Sequence, residues 1–202
     1  MALSDQLKRP KNIFDSKKVN AMRKLLFLVM PLFMTVSALG HGDALSRETL
    51  KKFFPEAENF VSRQKALTSQ QLLQVEKASG DEVQAVDRDL TVYVAISKDP
   101  QTGKMQSIGG VVVVDAIGAK GFLDLAVGCN LDGSIRKVLV LENMDDKELE
   151  SETFLGQLEG KGPSESWDVE NGFRLVGNPA SAQAVIRAVR RGMYLFLAFM
   201  GR

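Results

Sequence analysis

Two apolar runs joined by an Asp-Gly pair constrain the fold of this chain more than any other feature. In the first run, residues 122–131, large apolar side chains alternate with a mixed set: Leu123, Leu125, Val127, Cys129 and Leu131 against Phe122, Asp124, Ala126, Gly128 and Asn130. This alternation is the period of a half-buried strand. Asp132 and Gly133 separate it from a second apolar run, Ile135 to Leu141, which predicts a β-hairpin.

The predicted hairpin has two different faces. One face is apolar, and the other is lined by small residues beside a single carboxylate. A face of small residues leaves room for a flat ligand, but it also lets another element of the chain pack closely. These residues alone leave both interpretations open.

Composition excludes several classes of function. The chain has 202 residues and a formal net charge of +1, which gives no reason to expect a nucleic-acid partner. Its one cysteine, Cys129, cannot form an internal disulfide or a cysteine cluster for zinc or iron–sulfur. Its one histidine, His41, lies just beyond an apolar segment, so we predict neither a histidine-based triad nor a metal site. Any redox chemistry would therefore need an external cofactor.

The N-terminal part of the chain has the pattern of a membrane-directed segment. Residues 1–24 carry seven basic side chains against two acidic ones, and residues 25–40 carry no charge. The basic flank predicts a cytoplasmic N-terminus and an exported domain at residues 45–202. The small residues Val36 to Ala38 resemble a cleavage site, but the segment is long for a signal peptide, and we favour a retained anchor.

The remaining pattern predicts an α+β domain, an antiparallel sheet with packed helices. We predict helices from Ser46 to Phe54 and from Thr68 or Ser69 to Ala78. The predicted strands besides the hairpin are Leu90 to Ile96, Met105 to Asp115 and Gly172 to Val176, with the tail Met193 to Met200 as a last core strand or a docking surface. The pair Gly109 and Gly110 is interpreted as a bulge, and Trp167 as a core residue under a loop.

A helix is predicted to begin at Asn178. Asparagine is a favoured N-cap, and Pro179 suits the first helical position. A buried stripe follows at helical spacing, with three arginines predicted to turn largely away from it: Ala182, Val185, Ile186, Val189 and Met193 against Arg187, Arg190 and Arg191. The unpaired amides at such a start suit a phosphate, although every helix has an end of this kind.

The order of these motifs resembles the FMN-binding domain of the periplasmic flavin subunits of sodium-pumping NADH:quinone oxidoreductase and the related Rnf complexes. The similarity extends over roughly residues 45 to 192 and comprises a short helix end, a glycine-led hairpin and a later loop. The matching residues are Leu50 to Ala57, Gly121, Val127, Gly128, Asp132, Gly133, Ile135, Glu152, Thr153 and Gly156.

The resemblance implies a flavin site made of two segments. One is the loop that closes over the flavin ring, matched here by Glu152, Thr153 and Gly156, although Phe154 and Leu155 replace the family's Pro-Gly. The other is the family's Ser-Gly-Ala-Thr motif, which binds the flavin phosphate and is matched here by residues 176–179. From this motif we expect cofactor-binding roles for Gly177, Asn178, Ala180 and Ser181. In the family the motif threonine can carry FMN covalently, but Pro179 occupies that position and has no hydroxyl.

These observations lead to two functional hypotheses. The first is an electron-transfer subunit of a membrane redox complex that binds FMN non-covalently, with no catalytic side chain and no metal. The second is a structural or assembly subunit that keeps the fold without flavin. Pro179 favours this second hypothesis. The flavin hypothesis requires the start of the last helix to face the small-residue side of the hairpin, with a slot between them.

Overall fold

The computed structural model describes residues 45–202, and the segments predicted at residues 1–24 and 25–40 lie outside the described residues. The described residues form an antiparallel sheet of five strands in sequence order, with helices packed against it. This confirms the predicted α+β class. The strands are β1 Asn59–Ala66, β2 Asp89–Lys98, β3 Met105–Ile117, β4 Phe122–Asn130 and β5 Ile135–Asn143. The α-helices are α1 Arg47–Lys51, α2 Ser69–Ser79, α3 Glu152–Leu155 and α4 Pro179–Met200.

The predicted hairpin is confirmed as β4 and β5. Its turn places Gly133 at a φ of 89°, in the region that favours glycine. The strand pairing contains two register shifts, one between Asp124 and Leu125 and one between Gly128 and Cys129, and these leave Leu141 and Arg136 as the extra residues of β5. A third shift leaves Ile108 as the extra residue of β3, which confirms the predicted bulge at its neighbour Gly109.

One face of the sheet, called the α4 face, carries the larger part of the core. Its inward side chains come from alternate positions of β2, β3 and β4: Val92, Val112, Val114, Leu125 and Val127. Helix α4 packs on them closely because Gly192 has no side chain. A Cβ at Gly192 would lie 3.2 Å from Val127 and 3.3 Å from Val114. The α4 face is therefore sealed by the last helix.

The opposite face, called the α1 face, has a smaller core. The alternate strand positions Tyr93, Ala95, Val111 and Ala126 meet the short α1 segment there, and Phe53 and Phe54 are buried among them. Ser46 caps α1 by accepting a hydrogen bond from the Thr49 amide. Because strand side chains alternate between faces, the small residues of β4 face α1.

Two predictions about the C-terminal part are wrong. Residues 193–200 are not a strand, since α4 continues to Met200 and ends at Gly201, which has a φ of 78°. The apolar spacing of the helix simply continues through Met193 and Phe196, and a short apolar run does not separate a strand from a buried helix. Residues 172–176 are not a strand either. The Gln157 side chain bonds both the amide and the carbonyl of Arg174, in the place of a neighbouring strand.

Arg191 also departs from its prediction. Its side chain is 2% exposed, whereas we expected it to turn away from the core. The guanidinium forms ion pairs with Asp81 and Asp87 and donates to the Asp115 carbonyl at 2.6 Å. A buried cation is retained because it is paired on several sides.

The core role predicted for Trp167 is confirmed. It is 7% exposed, and its indole N–H donates to the Gly162 carbonyl at 3.0 Å. Among residues 45–202, no helix combines the length and the apolar character needed to cross a membrane.

Candidate functional site

The start of α4 is built as the sequence predicts. Asn178 is the N-cap, and its side-chain oxygen accepts a hydrogen bond from the Ala180 amide at 2.9 Å. Pro179 occupies the first turn, where its missing N–H leaves no unpaired donor. Gly177 precedes the cap with a φ of 58°, a conformation that a larger side chain adopts only with strain. This segment was the predicted phosphate site.

Carboxylates from a separate loop occupy the polar groups at this helix start. Asp146, in the turn after β5, accepts a hydrogen bond from the Asn178 amide at 2.8 Å. Its neighbour Asp145 accepts one from the Ser181 hydroxyl at 2.9 Å. Ser181 is fully buried and in turn accepts from the Ala119 amide at 2.8 Å. The protein's own carboxylates therefore accept from the Asn178 amide and the Ser181 hydroxyl, two donors that a phosphate at this helix start would use.

The same loop ties the β3–β4 turn to the helix. The Asp145 carboxylate accepts hydrogen bonds from the amides of Lys120 at 2.9 Å and Gly121 at 3.2 Å. Lys120 also forms an ion pair with Asp146. A Cβ added at Gly177 would lie 3.0 Å from both Asp146 and Glu148. Three carboxylates thus surround the helix start, against one lysine.

Both aspartates are held in their charged form. Burial raises the pKa of Asp145, but hydrogen bonds from the Lys120 and Asp146 amides and from the Ser181 hydroxyl outweigh this, and the net pKa is lowered. The hydrogen bond from the Lys120 side chain, followed by that from the Asn178 amide, lowers the pKa of Asp146. The carboxylates at the helix start are negatively charged at neutral pH and repel a second anion such as a phosphate.

The expected slot between this helix start and the small-residue side of the hairpin is not formed. Helix α4 lies on the α4 face, whereas Ala126 and Gly128 belong to the α1 face. A Cβ at Gly128 would lie 2.5 Å from the Phe53 ring, so Phe53 fills the space above this glycine. Of the two interpretations of the small residues, the structure supports close packing of the chain against itself.

The predicted ring-closing loop has a different role. Glu152 and Thr153 are exposed in the first turn of α3, and Gly156 has open space around its Cα. Phe154 and Leu155, which replace the family's Pro-Gly, are buried in the core of the α4 face. In the described part of the chain, no hydrogen bond joins this segment to Gly177, Asn178, Ala180 or Ser181. The structure therefore does not bring the two predicted halves of the flavin site together by direct bonds.

Asp145 and Asp146 were missed by sequence reasoning. They lie in a run of acidic residues that we interpreted as a solvated surface, because acidic runs usually are. Their position immediately after a strand end was the available signal, since a turn at a sheet end can approach a helix start on the same side. Local spacing does not indicate that their partner is a helix more than 30 residues away.

Other parts of residues 45–202 offer little for catalysis. The Cys129 thiol is buried, and burial raises its pKa, so it stays protonated and inert. No group of three or more metal-ligating side chains occurs among the described residues. A cleft of about 330 Å³ on the α1 face is lined by Asp87 and Asp89 without any basic side chain, which does not suit a phosphate.

No model of a protein family matches the chain, and no curated protein matches it. The similarity to FMN-binding domains accordingly remains a resemblance of motif order. The described residues form a five-stranded antiparallel α+β domain whose last helix begins in contact with the carboxylates of Asp145 and Asp146.

Proposed function

We propose that this chain is an exported, membrane-anchored subunit with a structural or assembly role in a membrane redox complex, and that it keeps an FMN-binding-domain-like fold without using flavin. The export and the anchor rest on the charge pattern of residues 1–40. The redox complex rests on the resemblance of motif order. The absence of a flavin role rests on the geometry of the domain.

The observation that carries the proposal is the occupation of the α4 start by Asp145 and Asp146. A flavin phosphate would have to displace Asp146 from the Asn178 amide and then remain beside the other carboxylates. The residues present do not fit that group. Two further observations agree: Phe53 covers Gly128, and Pro179 removes the hydroxyl to which FMN could be joined.

The electron-transfer hypothesis, with FMN bound non-covalently, requires a different conformation of the same residues. It requires the loop at residues 144–148 to move away from α4, which breaks the hydrogen bonds to Asn178 and Ser181 together with the contacts to the β3–β4 turn. Each of these bonds stabilises the closed arrangement. The structural or assembly role needs no such rearrangement.

Flavin retention tests the proposal directly. The full chain, purified in detergent, is incubated with excess FMN and passed through a desalting column, and its visible absorption is recorded. We expect a colourless protein whose addition leaves FMN fluorescence unchanged. A yellow protein that carries about one FMN per chain would overturn the proposal.

A matched pair of variants tests whether negative charge at the start of α4 is what excludes a flavin phosphate. Asp146→Asn removes a negative charge at the α4 start. Asp168→Asn removes a negative charge from another loop, where the Asp168 carboxylate accepts a hydrogen bond from the Asn171 amide. If charge at the helix start excludes the phosphate, any FMN affinity that appears will appear in the Asp146 variant and not in the Asp168 control. Equal affinities in the two variants would mean that the carboxylate is not the cause.

The assembly role has its own measurement. Membranes that contain the chain are solubilised in mild detergent and separated on a native gel, and the partners in each band are identified by mass spectrometry. We expect the chain in a band with membrane redox subunits. Migration without any such subunit would contradict the assembly role even if flavin is absent.

A further inference from the structure

The outer edge of β5 has the features of a surface that pairs with another strand. β5 is the last strand of the sheet, so one of its edges has no neighbouring strand. In the described part of the chain, backbone hydrogen bonds at this outer edge occur at Ile135. Its amide donates to the Lys161 carbonyl and its carbonyl accepts from the Gly160 amide, both at 2.7 Å. Beyond that point the strand continues with four apolar residues, Val138 to Leu141. An edge of this kind is a template for strand addition.

The other edge of the sheet is protected in the usual way. β1 carries the exposed Ser62, Arg63 and Gln64 in its middle. Charged and polar side chains on an edge strand discourage association because an incoming strand must desolvate them. The two edges therefore differ, and only β5 offers an apolar centre.

The charges at the ends of β5 select the partner. Arg136 and Lys137 lie at the start of the strand, and Glu142 lies at its end. When two copies of β5 pair antiparallel with Leu139 opposite Leu139, residue 136 of one copy stands opposite residue 142 of the other. At each end of the paired strands, Arg136 of one copy then stands opposite Glu142 of the other, and the centre is apolar. Opposite charges directly across an antiparallel pair are stabilising.

The side chains also project on the correct side. The Arg136 guanidinium lies 4.6 Å from the centre of the Phe54 ring, which places it on the α1 face. Glu142 is paired in register with Asp124, which alternates with Leu123 and Leu125 and so belongs to the same face. Directly opposite residues of an antiparallel pair share a face, so Arg136 can meet Glu142 of the second copy.

Neither charge is made unavailable by its present contacts. Among the described residues, Glu142 forms no ion pair, and it is exposed. Arg136 contacts Glu56 at 2.7 Å and donates to the Phe53 carbonyl at 2.7 Å. A guanidinium has five donors, so it can serve a second carboxylate without losing the first.

We propose that the chain forms a two-fold symmetric dimer through antiparallel pairing of two β5 strands centred on Leu139, which joins the two sheets into one. This inference does not depend on whether flavin binds, because it uses the outer edge of β5 and its charges, and none of the residues at the start of α4. Pairing the β5 edge of one copy with the same edge of a second copy is an isologous contact, the kind that a closed two-fold dimer requires.

Sedimentation of the full chain in detergent tests the dimer, with the detergent contribution subtracted. We expect a protein mass twice that of the 22.2 kDa chain. Glu142→Lys places like charges across the pair and should shift the protein to half that mass. Glu165→Lys, the same charge change on an exposed loop residue, should leave the mass unchanged. A wild-type protein that stays monomeric at all concentrations, or a Glu142→Lys protein that stays dimeric, would overturn the proposal.

A crosslink tests the register. Leu139→Cys brings two thiols opposite each other across the two-fold axis, where Cβ atoms are about 4.5–5.5 Å apart. Mild oxidation, which takes two electrons and two protons from the thiol pair, should then give a covalent dimer on a non-reducing gel. Ser62→Cys, at an exposed position of the β1 edge, should remain monomeric, and the buried Cys129 should not react. Equal crosslinking of the two variants would contradict the proposed register.

Discussion

The two faces of the sheet are covered in different ways. The α4 face is covered by a helix of 22 residues and holds most of the core, whereas the α1 face is covered in part by a helix of five residues and the two phenylalanines that follow it. The α4 start and the small residues of β4, the two halves of the expected flavin slot, lie on opposite faces. Suitable residues are therefore not enough to form a site. They must also lie on the same face of the sheet, and the alternation of side chains along each strand decides that face.

The largest effect is expected on the α4 face, from Arg191→Ala. The substitution leaves Asp87, which is 1% exposed, without the guanidinium that it pairs with, and removes the donor to the Asp115 carbonyl. Breaking a buried ion pair from one side costs about 3–5 kcal/mol. Urea unfolding measures the change. Arg187→Ala on the same helix is the control, and a loss at Arg191 no greater than at Arg187 would show that the buried pair does not stabilise α4.

A smaller loss is expected on the α1 face, from Phe53→Ala. The side chain is 1% exposed, and its removal leaves a cavity above Gly128. Phenylalanine-to-alanine changes in cores cost about 3–5 kcal/mol, and we expect the lower end because the short α1 can settle into the space. Urea unfolding is again the measurement, with Leu73→Ala, at a 65% exposed leucine, as the control.

The Phe53→Ala variant also tests whether the two faces are separate. Since the start of α4 lies on the other side of the sheet, opening the space above Gly128 should not create FMN binding. Flavin uptake by the Phe53→Ala protein would show that a ligand can reach from one face to the other, contrary to the separation described above.

Gly128→Ala should have the next largest effect. The new methyl group would lie 2.5 Å from the Phe53 ring, too close without movement of that side chain. Overpacking of this kind costs about 1–3 kcal/mol. Combining it with Phe53→Leu should recover part of the loss, because the two changes share one space. Strictly additive losses in the double variant would mean that Phe53 is not what the methyl group meets.

The smallest effect concerns pH and the start of α4. The pKa values of Asp145 and Asp146 are lowered in the folded protein, so the unfolded chain binds more protons as the pH falls. Their contribution is complete above the unfolded aspartate pKa of about 3.9 and is lost as the pH falls through the lower folded values. Urea midpoints measured from neutral pH down to about pH 3 should decline more in the wild type than in Asp145→Asn/Asp146→Asn.

The helix α2 supplies the internal control for this pH effect. Its start is capped by the Thr68 hydroxyl and the Gln71 amide group, neither of which titrates. Thr68→Ala should therefore lower the urea midpoint by the same amount at every pH. Parallel pH profiles for the wild type and the double aspartate variant would show that the carboxylates at α4 do not contribute as charged groups.

The local elements could be predicted well where short-range chemistry decides them. The β4–β5 hairpin follows from alternation and an Asp-Gly turn, and the α4 start follows from Asn178 and Pro179. The prediction was wrong for residues 193–200, where an apolar run suits a helix and a strand equally. It was also wrong for Arg191, because a charge is buried only when distant residues such as Asp87 arrive to pair with it.

Short-range patterns were enough to predict the antiparallel α+β class, the hairpin, and the residue at which the last helix begins, since each depends on neighbours within a few positions. The groups that occupy this helix start and the side chain that covers Gly128 became known from the folded structure alone. Asp145 reaches Ser181 across 36 positions, and Phe53 reaches Gly128 across 75. Contacts of this range depend on which face each strand residue points to and on how the strands are ordered, and neither is encoded in local spacing.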